Sequence, residues 1–480
     1  MAGRREFIKN SLITSTGISL GGLTFSTKPA SDSLLAKKDV YPLIEVEDEV
    51  YRYKPANNGA GPLWCKGSTC LVRIGDKVFV SGLETMDNWA LSNNCRWMLF
   101  KRNDTGWEKL LTDEEGRNRE PSPIAAFHDG RLFLSSNPFI AGTNEQTGGK
   151  LKPEIFSFKT SAIHEPFKRL LPGWAGDPKF GEDSYRTLSA DGALGELIVF
   201  QNPYRDEVKC EWAFYNDAGK WSAQGQLDWP LISKNEKTEP LRLCYPDVML
   251  KNRKVYYLGA SDIKEPNKEW KQYKKQLTGR EWDYAYRHLF FTWSDDITSG
   301  KFHPWIELAD RDETAGEVTA SDLWVGPDGA VHILWQEKAI DEHLREKFFP
   351  AARQSYELNY AIVRKGKVEI RRTLLKSEEG DGKEIPGSAR FHVAPGNRLF
   401  VVYFVSGSNF SEKKIAENRV VELKAGGVME EPVTLQLKYP FTKFFTANQR
   451  GGSLPSPILD MLGNAPDDKL TVRYARVRLE

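Results

Sequence analysis

The alternation of apolar and polar positions is clearest over Ala320–Glu337, ASDLWVGPDGAVHILWQE. From Ser321 to Val325, Leu323 and Val325 alternate with Asp322 and Trp324, and a period of two predicts a short strand. Gly326-Pro327-Asp328-Gly329 supplies turn chemistry, with proline presetting φ and glycine tolerating positive φ. Ala330 to Trp335 is then apolar except for His332, a run that suits a strand buried on both faces. A hairpin this apolar needs other sheets to pack against.

Six further segments have the same form, starting at Gly67, Ser122, Ser184, Tyr245, Ser388 and Ser453. With Ala320 included, the start-to-start spacings are 55, 62, 61, 75, 68 and 65 residues. Between the hairpins the chain offers a second strand pair, as in Arg96–Lys101 with Trp107–Leu111, Glu211–Tyr215 with Lys220–Ala223, and Leu358–Arg364 with Lys367–Leu374. Four strands per unit, seven times over, predict an all-β, seven-bladed β-propeller. A sandwich has no natural place for seven similar units. The last unit runs out of chain after two strands, while Leu43–Tyr53 (LIEVEDEVYRY) precedes the first hairpin without a unit of its own. It is expected to complete the last blade and close the ring, which removes open sheet edges. Residues 37–480 then make one propeller domain.

Composition narrows the function classes. The net charge of +1 argues against a polyanion held by bulk charge, and no clustered basic groove for nucleic acid is visible. Aromatic residues make up 12% of the chain, with 14 Trp scattered through the repeats; they suit strands and also sugar-binding surfaces. Arg4-Arg5-Glu6-Phe7-Ile8-Lys9 precedes a weakly apolar run from Asn10 to Phe25, the form of a twin-arginine export signal over residues 1–36. That run is too short and polar to anchor in a membrane. A periplasmic or secreted protein without membrane insertion is therefore expected. Five cysteines (Cys65, Cys70, Cys95, Cys210, Cys244) can pair in an exported protein, Cys65 or Cys70 with Cys95 and Cys210 with Cys244, leaving one over. No Walker loop, G-x-G-x-x-G, C-x-x-C or H-E-x-x-H occurs. The sequence thus carries no metal or organic cofactor motif, which leaves the cofactor open and room for a structural ion, and a redox propeller lacks a ligand cluster.

In a propeller, loops entering each first strand and leaving each second strand ring one mouth. This geometry delivers Lys66, Ser68, Asp183, Tyr185, Arg186, Tyr245, Asp247, Glu317, Asp322, Arg390 and Arg450 by the first route. It delivers Glu84, Asp87, Asn88, Trp89, Asn137, Gln201, Asn202, Tyr204, Arg205, Asp262, Gln336 and Glu337 by the second. Such repeated polarity needs partners, either one another or a ligand. Arg186, Arg390 and Arg450, which cannot shed their charge, would match a carboxylate. Two long excursions, Ser261–Tyr286 with its interleaved aromatics and charges and Ala339–Glu357, overhang the same mouth. His332 reads as a packed core residue and His128 lies at a turn away from the mouth, leaving His392 and His343 as candidate bases.

The repeat style resembles that of BNR-repeat and sialidase-like propellers, and the Arg450-Gly451-Gly452-Ser453 entry to the last blade adds to the likeness. Over roughly Tyr41 to Glu480 it is similar to the carbohydrate-active group that holds ulvan lyases and α-L-rhamnosidase-like enzymes. Strict Asp-box sequences are absent, with Ser294-Asp295-Asp296 a partial echo. The resemblance implies glycosidic bond cleavage in an acidic, uronate-containing saccharide, by hydrolysis or β-elimination. Tyr185 would be nucleophile or proton donor, with Asp322, Asp247 or Glu337 as partner. Tyr185 or His392 would be the base of an elimination, and Arg186, Arg390 and Arg450 would hold the carboxylate. Glu84, Trp89, Asn137, Gln201, Asn202 and Arg205 would line the binding site. Ulvan lyases place histidines where the second blade here has Ser122 and Asn137. A glycan-binding propeller without catalysis is the alternative reading.

Overall fold

Seven antiparallel sheets of four or five strands follow one another along the chain, with two small two-stranded ribbons beside them, in the computed structural model, which describes residues 40–480 except 88, 90, 141–148, 182–184, 205–206, 235–236, 281–283, 382–383 and 409–413. The segment expected to be an export signal, residues 1–36, and Asn88, Asp183 and Arg205 therefore lie outside the described residues. Blades one to five each contain four strands taken in chain order, their inner strands being Leu71–Ile74, Ile124–Ala126, Arg186–Asp191, Leu243–Lys251 and Ala315–Val325. Blade six starts at Ile385–Ala394, and its third strand, Lys414–Lys424, carries two short outer strands, Val428–Met429 and Val433–Leu435. The hairpin read first is observed as expected, Leu323 facing Ile333 and Val325 facing Val331.

Blade seven closes the ring as predicted, with a shift of phase. Pro42–Arg52 pairs antiparallel with Thr471–Leu479 and forms the outer strand. The hairpin from Ser453, read as the first two strands, supplies strands two and three (Ile458–Asn464 and Thr471–Leu479). The inner strand is Lys443–Thr446, only four residues long. It left no hairpin signature because an eleven-residue connection, 447–457, follows it in place of a tight turn.

The blades are joined by the aromatic residues that the composition announced. Trp97, Trp212 and Trp335 are fully buried, and Trp335, Tyr360 and Phe391 belong to one cluster running through blades four, five and six. Burying each such ring contributes roughly 1.5–3 kcal/mol. His332 is packed as expected: its Nδ1 lies 2.6 Å from the Tyr360 hydroxyl, and burial pulls its pKa down to about 4. All five cysteines are buried and none forms a disulfide, so neither expected pairing, Cys65 or Cys70 with Cys95 and Cys210 with Cys244, is made. Among the described residues, no helix is long and apolar enough to cross a membrane.

Candidate active site at the capped mouth

The central channel is filled by the chain itself. From the loop side, the segment before the first strand of blade one crosses the axis. Ser68 Oγ meets Thr187 Oγ1 of blade three at 2.8 Å, and Lys66 O accepts from Arg390 Nη2 of blade six. Gly67 packs directly on blade four, where a Cβ would lie 2.1 Å from Pro246 O, so only glycine fits there. From the turn side, the long connection of blade seven enters as a 3-10 turn, Gln449–Gly451. Gly452, at φ +85, presses against blade two, where a Cβ would meet Ala126 O at 1.9 Å. Ser189 of blade three bonds Arg450 O at 3.0 Å.

Between these two inserts lies a buried ionic cluster. Arg450 donates to Asp322 Oδ1 from Nε (3.0 Å) and Nη2 (2.7 Å), to Gly67 O from Nη1 (2.8 Å), and approaches Asp247 Oδ1 at 2.9 Å. Asp322 also accepts from the Phe391 amide at 2.8 Å. Arg390 donates to the carbonyls of Ser321, Ala389 and Lys66. Asp247 and Asp322 are each 1% exposed. Burial pushes the Asp247 pKa up to about 6, opposed by Arg450 and aided by Asp322. Arg390, Arg450, Asp247 and Asp322 are thus brought together as the sequence suggested, but inside the molecule and facing protein oxygens.

The other expected site residues separate into groups. Arg186 donates to Pro121 O at 2.9 Å. Asn137, with its amide turned to suit its neighbours, accepts from Arg186 Nη1 at 3.1 Å and Gln201 Nε2 at 3.0 Å. Asn202 donates to Leu243 O at 2.7 Å and so ties blade three to blade four. Glu337 sits within blade five, accepting from Arg311, Trp335 and Asn359. His392 lies against blade seven with Nε2 2.8 Å from Ser456 O; burial pulls its pKa down to about 4, so it is neutral and donates from Nε2. Glu84 pairs with Arg96 at 2.5 Å, and the Arg117 guanidinium lies 4.5 Å from the Trp89 ring.

What remains at the rim is a tyrosine-centred group. Tyr245 sits on a bulge with φ +45, a backbone strain of about 1–3 kcal/mol for a non-glycine residue. Its ring packs 4.2 Å from that of Tyr185, and the Arg242 guanidinium lies 5.2 Å from the Tyr185 ring while pairing with Asp262. The Trp64 indole N–H donates to the Tyr245 hydroxyl. The exposed Lys66 ammonium lies 6.0 Å from the Tyr245 ring. Burial, then Glu120 and Tyr185, raise the Tyr245 pKa well above its ordinary value, so the group is a phenol and a proton donor at neutral pH.

Beside this group opens a cleft of about 460 Å³, walled by the two excursions. Each has folded as a helix: α1, Lys268–Thr278, capped by Asn267 and Gly279, and α2, Glu342–Phe348, capped by Asp341. The caps explain where each helix starts, since the Asx side chains accept from first-turn amides. Trp270 and Tyr273 of α1 meet Phe348 and Phe349 edge-on, and Lys274 binds Asp341 at 2.8 Å, so the helices brace one another. The cleft lining holds Lys274, Lys275, Arg280, Arg287 and Lys338 against Glu317 and Asp341. Tyr286 and Glu317 line both this cleft and the small cavity beside Tyr245, which makes the two adjoin.

Sequence reasoning placed Lys66, Tyr185, Tyr245 and Glu317 at the mouth and Tyr286 in the overhanging excursion. It missed Arg242, which precedes a blade without any motif. It also missed His288, buried between the outer strands of blade four. Burial opposes a charge on His288, but Asp312, Glu307 and Asp310 push its pKa up to about 9.

No family model and no curated protein matches this chain. Among solved structures, the polysaccharide lyase Uly1 superposes with a TM-score of 0.51 at 12% identity, over 91% of this chain and 100% of that one. An α-L-arabinanase of Penicillium chrysogenum gives a TM-score of 0.44 at 9% identity, over 91% and 98% of the two chains. The lyase likeness is one of fold, and it agrees with the seven-bladed propeller read from the repeats.

Proposed function

We propose that this protein is an exported carbohydrate-active enzyme that cleaves an acidic, uronate-containing polysaccharide at the capped mouth by β-elimination. The observation that carries the reading is the adjacency of the strained, protonated Tyr245 and exposed Lys66 to a cleft rich in lysine and arginine. Lys66 would neutralise the uronate carboxylate, which acidifies the proton next to it; Tyr245, after losing its own proton to solvent, would take that proton as the phenolate and, as the phenol so formed, give it to the leaving oxygen, which returns the phenolate. Tyr185 holds the Tyr245 ring in place. The fold shared with a polysaccharide lyase supports this choice over hydrolysis, and Arg4-Arg5 with the weakly apolar run behind them supports export. One observation favours a second reading, glycan binding without cleavage: the raised Tyr245 pKa keeps its basic form scarce. The test incubates the purified protein with a panel of acidic polysaccharides and follows ultraviolet absorbance and reducing ends together. Rising absorbance supports elimination. Reducing ends without absorbance replace it by hydrolysis, and binding with neither signal establishes the second reading.

A further inference from the structure

The connection from blade four to blade five turns tightly through 310–316. Ala315 holds φ +53 without being glycine, and a Cβ on Gly316 would lie 2.3 Å from Lys338 O. Strain of this kind persists where the surroundings over-determine the backbone. Beside the corner, three carboxylates gather on one imidazole. Glu307 Oε1 lies 2.6 Å and Asp310 Oδ1 3.7 Å from His288 Nδ1, and Asp312 Oδ2 lies 3.2 Å from Nε2. The His288 side chain is only 5% exposed, and its Nε2 makes no well-formed hydrogen bond despite the nearby oxygen. Ligand atoms of His288, Asp310 and Asp312 all fall within 4.8 Å of one another. The carboxylates are partly exposed (33–54%) while the imidazole is anchored in the core, so an ion can enter from solvent.

We propose that His288, Asp310 and Asp312, with Glu307 beside them, form a binding site for a divalent cation of the zinc type. Three carboxylates carry more negative charge than the imidazole and the Arg287 guanidinium, itself paired with Glu265, can offset. A nitrogen ligand among them selects zinc-like ions over calcium or magnesium, which take oxygen. The ion would fix the corner that supports the cleft. Asp312 also lies 3.6 Å from Arg287, which pairs with Glu265, lies 5.2 Å from the Trp270 ring of α1, and lines the cleft. The site is separate from the Tyr245 group, and its occupancy can be measured whether or not the protein cleaves sugars.

The test strips the whole protein with a chelator, dialyses it, and titrates it with Zn²⁺ alone, reading calorimetry, retained metal and Tm. About one retained ion per chain and a Tm several degrees higher are expected. The Asp310→Asn/Asp312→Asn double variant, altered only at partly exposed positions, should bind at least about tenfold more weakly, and its Tm, whatever its metal-free value, should no longer rise on adding Zn²⁺. Glu307→Gln, in a second preparation, should weaken binding less. No retained zinc, equal retention by the double variant, or a Tm response to Ca²⁺ alone would each overturn the proposal; the first would leave His288 as an imidazolium held by its carboxylates.

Discussion

Single residues at the mouth were legible by position and much less so by partner. The spacing of the repeats brought Arg186, Arg390 and Arg450 toward the axis; Arg390 and Arg450 lie in the buried channel cluster, while Arg186 lies apart from them, against blade two. Their donors, however, meet carbonyls of Pro121, Ser321, Ala389, Lys66 and Gly67 and the carboxylates of Asp322 and Asp247. Apart from Ala389, next to Arg390, those acceptors come from segments far away in sequence, which no local pattern reveals. Tyr245 was visible in the entry loop, but its strain and the indole above it depend on the bulge and on Trp64, 181 residues earlier. If Tyr245 moves the proton, Tyr245→Phe should lower turnover about a hundredfold or more with little change in Tm, read by product absorbance and thermal melting. Turnover should also climb with pH above neutrality, since the phenol is held above its ordinary pKa. In the channel, Arg450→Met strips the buried Asp322 and Asp247 of their cation and should cost about 3–5 kcal/mol in urea unfolding. Asp247 adds a pH dependence: the folded protein holds its proton more tightly than the unfolded chain does. Its contribution is present in acid and lost as pH rises through about 6. Unfolding midpoints of Asp247→Asn, compared with the parent at about pH 4 and about pH 7, should lack that decline.

At the level of elements, strands and turns were clear wherever a tight hairpin marked them. They were misphased in blade seven, where a long insertion replaced the hairpin. The two excursions were recognised as overhangs, and their helices could have been read from the Asn267 and Asp341 caps. Helices α1 and α2 depend on each other through Trp270, Tyr273, Phe348 and Phe349, so they present their lysines as one wall. Reversing two charges of the lining, Lys275→Glu with Lys338→Glu, should raise KM for an acidic polysaccharide about tenfold or more at low salt while leaving kcat nearly unchanged. The difference should shrink as salt is added.

For the whole molecule, closure rests on one strand from each end of the chain. Deleting Pro42–Arg52 exposes the edge of Thr471–Leu479 and removes the Tyr51 hydroxyl that accepts from the Leu83 amide of blade one. The truncated protein should melt well below the parent and associate, as seen by calorimetry and light scattering. Closure was legible because an orphan strand and an unfinished unit are both visible in the sequence. The filled channel was not, because its two inserts carry no repeat. Those inserts add a matter of timing. Arg450 reaches Gly67 across 383 residues, and Arg390 reaches Lys66 across 324. During synthesis, the first five blades can be made while Lys66 and Gly67 still await those partners. The segment that carries Trp64 and Lys66 can meet blades three and four early, through Thr187, Tyr245 and Pro246, but its bonds to Arg390 and Arg450 form only after the last two blades emerge. A prematurely terminated chain would therefore carry the tyrosines beneath a segment that lacks its arginine bonds, and full activity would certify that the polypeptide had been finished.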